Sequence, residues 1–148
     1  MTDKPSPRRL VRELVLKALY ASETAKDTQE ESTTEIFLEI AGEYEISDKN
    51  LRFARDLFNL TLRHYQWADR QIIRLSRHWD IDRIAVVDRT IIRMAMVELE
   101  HMPDTPVKVA LNEAIELARK FSTSESPAFV NGILDAFVKG MKNLSGTE

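Results

Sequence analysis

With 148 residues, 43% of them hydrophobic and 30% charged, the chain suits one domain, or two small subdomains sharing a core, that buries roughly 68–70% of its unfolded surface, and it lies outside the compositions that stay disordered. It contains no cysteine, which excludes disulfides, thiolate metal sites and cysteine nucleophiles and points to the cytoplasm. The formal net charge of −3 is unevenly spread: residues 1–20 carry five basic and two acidic side chains, residues 21–50 carry two and nine, and the remainder is nearly balanced.

Glycine occurs only at 42, 132, 140 and 146, and no β-branched run alternates, so the expected fold is all-α. Ser6-Pro7, Thr105-Pro106 and Ser126-Pro127 each place a capping side chain before a residue whose fixed φ suits a first helical turn. The first helix is expected from Pro7 to Ala25, with Leu10, Val11, Leu14, Val15 and Ala18 on one stripe. At about 100° per residue, Arg8, Arg12 and Arg9 fall at about 0°, 40° and 100°, a basic arc beside that stripe. That arc has two readings, a solvated helix face or one end of an RNA footprint.

An acidic helix follows around Thr33 to Tyr44. A third runs from Asp48, capped by Ser47, to Tyr65, and a fourth from Ala68 to Trp79. Asp80-Ile81-Asp82 reads as a break, with Asp82 capping a fifth helix from Arg83 to His101. That helix is apolar at nearly every angle and therefore belongs in the middle of the fold. Glu98 falls on its apolar arc, where a carboxylate needs an arginine or a helix end as partner. The sixth helix, Val107 to Phe121, gathers Val107, Ala110, Leu111, Ala114, Leu117, Ala118 and Phe121 on one face. The seventh, Pro127 to about Lys142, buries Val130, Ile133, Leu134, Phe137 and Met141, and the chain is expected to loosen from Asn143. Gly132 costs ~1 kcal/mol of helix propensity against alanine, which calls for close approach by a packed helix, another backbone or a ligand.

The longest purely apolar runs, Ile84 to Val87 and Met94 to Val97, fall far short of the ~20 residues of a spanning helix, and no signal peptide follows Arg8 and Arg9, so no membrane contact is expected. His64, His78 and His101 sit on different helices or helix ends without a His-Glu-x-x-His pattern, and the glycines form no phosphate loop. No Gly-x-Ser-x-Gly elbow occurs, and acid pairs such as Asp80 and Asp82 suit turns and caps. Neither metal, cofactor nor catalytic residues are expected.

Three stretches are more specific: Arg8-Arg9-Leu-Val-Arg12-Glu13 with Ala18-Leu19-Tyr20; Val87-Asp88-Arg89 through Arg93 to Val97-Glu98-Leu99; and Asn112-Glu-Ala-Ile-Glu-Leu-Ala118 with Phe129-Val-Asn-Gly-Ile-Leu-Asp135. Together they resemble the NusB family of bacterial transcription antitermination factors over nearly the whole chain. The resemblance implies a single RNA-binding domain of about seven helices in two packed halves, roughly 1–80 and 81–142. It implies binding of single-stranded boxA RNA jointly with ribosomal protein NusE, in the elongation complex that transcribes ribosomal RNA operons, with no enzymatic activity and no cofactor.

By position, the resemblance assigns Arg8, Arg9, Arg12 and Lys17 of the first helix to RNA phosphates, and Tyr20 and Phe129 to RNA bases, with Asn131 beside them. For both aromatic residues a place in the core is the alternative. Asp82 is carried to the RNA surface, and Asp88 and Arg89 to the partner surface; caps and internal ion pairs explain the two acids equally well. Leu10 beside Arg9 and Pro127-Ala128 ahead of Phe129 depart from the family's more basic pattern, which implies modest RNA affinity without NusE. NusB-like domains also begin some RNA cytosine methyltransferases, for whose catalytic domain this chain has no room. The competing function is a helical scaffold that binds protein only. A homodimer covering the basic helix is compatible with either.

Overall fold

The computed structural model of the chain describes residues 7–25, 30–76 and 80–145. These residues contain seven α-helices: α1 (Pro7–Thr24), α2 (Glu30–Ala41), α3 (Asp48–Arg63), α4 (Tyr65–Leu75), α5 (Val86–His101), α6 (Val107–Phe121) and α7 (Ser126–Ser145). No strand occurs among the described residues, and none of their helices is long and apolar enough to cross a membrane. Two compact units result, Met1–Leu62 and Arg63–Glu148. The division falls earlier than residue 80 because α4 packs on α5 and α7.

In the first unit α1 packs on α2. Val11, Leu14, Val15 and Ala18 are fully buried on the stripe that helical periodicity marks, although Leu10 is only half-buried. Phe37 of α2 meets Phe58 of α3, ring centroids 5.0 Å apart and tilted by 33°, an arrangement that aromatic quadrupoles favour. α3 starts where the sequence places it: Ser47 Oγ accepts the Asn50 amide at 3.2 Å and the Ser47 carbonyl accepts that of Leu51 at 2.8 Å.

In the second unit α5 is central, in contact with α4, α6 and α7, and residues 90–99 are all buried. Burial on every side explains its all-round apolar surface and makes each polar member costly unless bonded. Arg93, 2% exposed, meets that requirement: Nε donates to Asp69 Oδ1 at 2.6 Å, Nη2 to Oδ2 at 3.1 Å, and Nη1 to the Tyr65 hydroxyl. This bidentate fork ties α4 to α5 with directionality that apolar packing lacks.

Several helix starts differ from expectation. Asp82 does not cap α5. Asp80 and Ile81 carbonyls accept the amides of Arg83 (2.9 Å) and Ile84 (3.1 Å), closing a 3-10 turn over Ile81–Arg83. Ile84 and Ala85 are then extended, and α5 begins at Val86. Thr105 does not cap α6, because Pro106 occupies the cap position and its carbonyl closes the first turn. Val107, at that exposed end, is 42% exposed rather than buried. α7 begins at Ser126 and continues through Ser145. Ser6, His78 and Trp79 lie outside the described residues.

Candidate nucleic-acid interface

The first unit carries the cationic candidates on α1. Arg8 is half-buried: Nε donates to Asn50 Oδ1 at 2.9 Å, and the guanidinium carbon stands 3.9 Å from the centroid of the Phe53 ring. Arg12 lies 5.4 Å from the same centroid and is only 4% exposed. Two arginines thus flank one phenylalanine of α3, which orients them. Arg8 and the half-buried Arg9 remain partly open to solvent, whereas Arg12 would meet a phosphate only by turning outward.

Lys17 is exposed, its ammonium 5.1 Å from the Tyr44 ring centroid. The Tyr44 hydroxyl, placed toward it as an acceptor but short of full hydrogen-bond geometry, is the main reason Lys17 titrates above the ordinary lysine value; partial burial opposes the effect, and Glu13 and Glu43 add to it. Lys17 therefore stays charged at neutral pH. Tyr20, at 41% exposure, is open to solvent rather than in the core.

The second unit carries a cleft of about 340 Å³. The segment ahead of α5 contributes Arg83, Ile84 and Ala85; α5 contributes Asp88; the α6–α7 turn and the first turn of α7 contribute Thr123, Glu125, Ser126 and Phe129. Phe129 is half-buried, so part of its ring reaches the cleft. Asp82 is exposed next to Arg83, and Asn131 and Gly132 are exposed on α7. A Cβ added at Gly132 would meet nothing within 4 Å, so the tight intramolecular packing expected there is absent among the described residues.

Asp88 is 8% exposed and turned inward, accepting from Ser122 Oγ at 2.6 Å and Ser126 Oγ at 2.9 Å. A protein partner would reach its carboxylate only by displacing the serines. Arg89 is half-buried, and its buried Nε has no hydrogen-bond partner among the described residues. Arg83, Glu125 and the hydroxyls of Ser122, Thr123 and Ser126 escaped the sequence reading. The run Ser122-Thr-Ser-Glu-Ser126 was the available signal, of which only Ser126, ahead of Pro127, marks a helix start in the sequence.

His64 and His101 stack with ring centroids 3.9 Å apart and planes 12° from parallel. Their ring-nitrogen lone pairs lie in those planes and so cannot converge on one ion. No group of three potential metal ligands occurs among the described residues.

Fold and site together describe an all-α protein of two helical units, cations on the first helix and an aromatic-edged cleft at the start of the last. The family model for the NusB family matches residues 9–139. Transcription antitermination protein NusB of Symbiobacterium thermophilum is 38% identical over 148 residues, covering 95% of this chain and 95% of its own. Among solved structures, T. maritima NusB matches with a TM-score of 0.81 and 34% identity over 92% of this chain and 93% of that one. A structure of antitermination factors NusB and NusE in complex with double-stranded RNA matches in fold, with a TM-score of 0.77 and 24% identity over 90% and 97% of the two chains. The chain belongs to the NusB family of transcription antitermination proteins.

Proposed function

We propose that the chain works in the bacterial cytoplasm as a non-enzymatic factor that binds boxA-type RNA together with ribosomal protein NusE during transcription of ribosomal RNA operons. The observation that carries this reading is the near-full-length match to a transcription antitermination protein. The NusB–NusE complex with RNA supports both partners as classes.

In this reading Arg8, Arg9 and Lys17 neutralise phosphates, while Tyr20 and Phe129 offer ring faces to bases. A stacked base contributes ~1–3 kcal/mol per aromatic. Asp82 and Asn131, both exposed, supply an acceptor and a donor–acceptor pair for base edges or ribose hydroxyls. Arg12, buried near Phe53, holds the arc in place and meets phosphate only in a turned-out rotamer. Arg89 joins the NusE contact, where a partner acceptor would satisfy its buried Nε.

Fluorescence titration of a single-stranded boxA-type oligonucleotide, with and without NusE, tests the proposal. Tighter binding with NusE is expected. No retention of RNA at moderate salt in either arm would leave the protein-only scaffold as the better reading.

A further inference from the structure

The turn between α6 and α7 holds more hydrogen bonds than starting a helix requires. Ser122 Oγ donates to Asp88 Oδ1 at 2.6 Å and Ser126 Oγ to Oδ2 at 2.9 Å. Thr123 Oγ1 stands 2.9 Å from Ser126 Oγ, and the Thr123 amide donates to that oxygen at 3.3 Å. Proton bookkeeping orders the cluster. A hydroxyl has one hydrogen; with those of Ser122 and Ser126 committed to the carboxylate, the Thr123 hydroxyl must be the donor to Ser126. The 2.9 Å approach of Ser122 Oγ to Ser126 Oγ then carries no proton, but it provides an alternative bond should the carboxylate change.

These bonds fasten both ends of one turn to the first turn of α5. Ser122 is the residue that caps the end of α6 and Ser126 the one that begins α7. Phe129 lies one helical turn beyond Ser126, and Thr123, Ser126 and Phe129 all border the same cleft. Without the anchor, the turn is a short polar segment whose exposed backbone resists local opening weakly. The first turn of α7, which carries Phe129, would then be less firmly held, and the missing part of its fixing would have to be supplied at the moment of binding.

We propose that Ser122, Thr123 and Ser126 are positioning residues which, through Asp88, hold Phe129 and its cleft in the arrangement that receives RNA. This deepens the RNA-binding reading and rests on it. Asp88 accordingly works inward, on the α6–α7 turn.

The test is a double-mutant cycle in the full chain with NusE present, measuring Kd for a single-stranded boxA-type oligonucleotide at several salt concentrations. Ser122→Ala/Ser126→Ala is expected to weaken binding about five- to tenfold, toward the lower end of what losing a base stack costs. The slope of log K against log salt should not change, because no phosphate contact is lost. Phe129→Ala should weaken binding comparably, and the triple variant should be within about twofold of Phe129→Ala alone, since residues acting through one group are not additive. Multiplying losses in the triple variant, or wild-type affinity in the serine variant, overturns the proposal. If the double serine variant fails to fold, Ser122→Ala alone replaces it in the cycle.

A second comparison is matched in charge. Asp88→Asn keeps an acceptor for Ser122 and lets Ser126 bond to Ser122, whereas Asp88→Ala removes both anchors. Asp88→Asn should bind RNA more tightly than Asp88→Ala, and equal affinities count against positioning. Wild-type RNA binding that ignores the serines or Phe129 defeats this inference alone; a wild-type chain that binds no RNA defeats the RNA reading and this inference with it.

Discussion

At one end of α5, His101 lies against His64, and the Trp67 ring stands steeply inclined to both, its centroid 6.4 Å from that of His64 and 5.7 Å from that of His101. Partial desolvation of the otherwise exposed His101 against these rings, and then the charge His64 would carry, depress the His101 pKa below its ordinary 6.5, with Glu100 opposing. The unfolded chain therefore takes up this proton at a higher pH than the folded one. The stabilisation is present above 6.5 and is lost as pH falls through 6.5 toward the folded value. Urea midpoints measured at about pH 7.5 and about pH 5.5 should fall with acidification, and less steeply in His101→Gln. Equal falls in both proteins would show that the stack does not respond to protonation. Nothing in the sequence announced the pair, because the two histidines are 37 positions apart on helices whose crossing no periodicity encodes.

α7 shows what a helix reveals in advance and what it withholds. Its apolar spacing located Val130, Ile133, Leu134 and Phe137, all buried, because 3.6-residue periodicity reports which face meets a core. The same pattern left Gly132 with two explanations, and the open space around it removes intramolecular packing. Gly132→Ala should then stabilise the isolated protein by about 1 kcal/mol through helix propensity. If a bound backbone or ligand comes close at this point, the same variant should weaken RNA or NusE binding. Thermal melting and titration read the two effects separately, and a destabilised variant would contradict the open surroundings. Helix starts were legible both at Ser47, whose side chain faces its own helix, and at Ser126, where α7 begins; that the Ser126 hydroxyl bonds Asp88 on another helix was not.

For the molecule as a whole, the uneven charge sets how association depends on salt. Fixed cations on α1 release counterions when they meet RNA, so affinity should drop with rising salt even though the net charge is −3. Arg9→Ala should reduce the magnitude of the log–log salt slope by about 0.7, the share of one single-strand phosphate. Arg12→Ala should act mainly on stability, because its side chain is buried beside Phe53. An unchanged slope in Arg9→Ala together with a flattened one in Arg12→Ala would reverse these two assignments.

Composition and periodicity alone determined the helical class, the central place of α5, the buried faces of α1 and α7 and the position of the cations, since each depends on near neighbours along the chain. Which cations are open and which are sequestered, where the two units divide, that Asp88 anchors a turn, and that Phe129 reaches a cleft were decided by tertiary structure. These outcomes depend on groups distant in sequence meeting in three dimensions, where desolvation and hydrogen-bond geometry, rather than local propensity, select the partner.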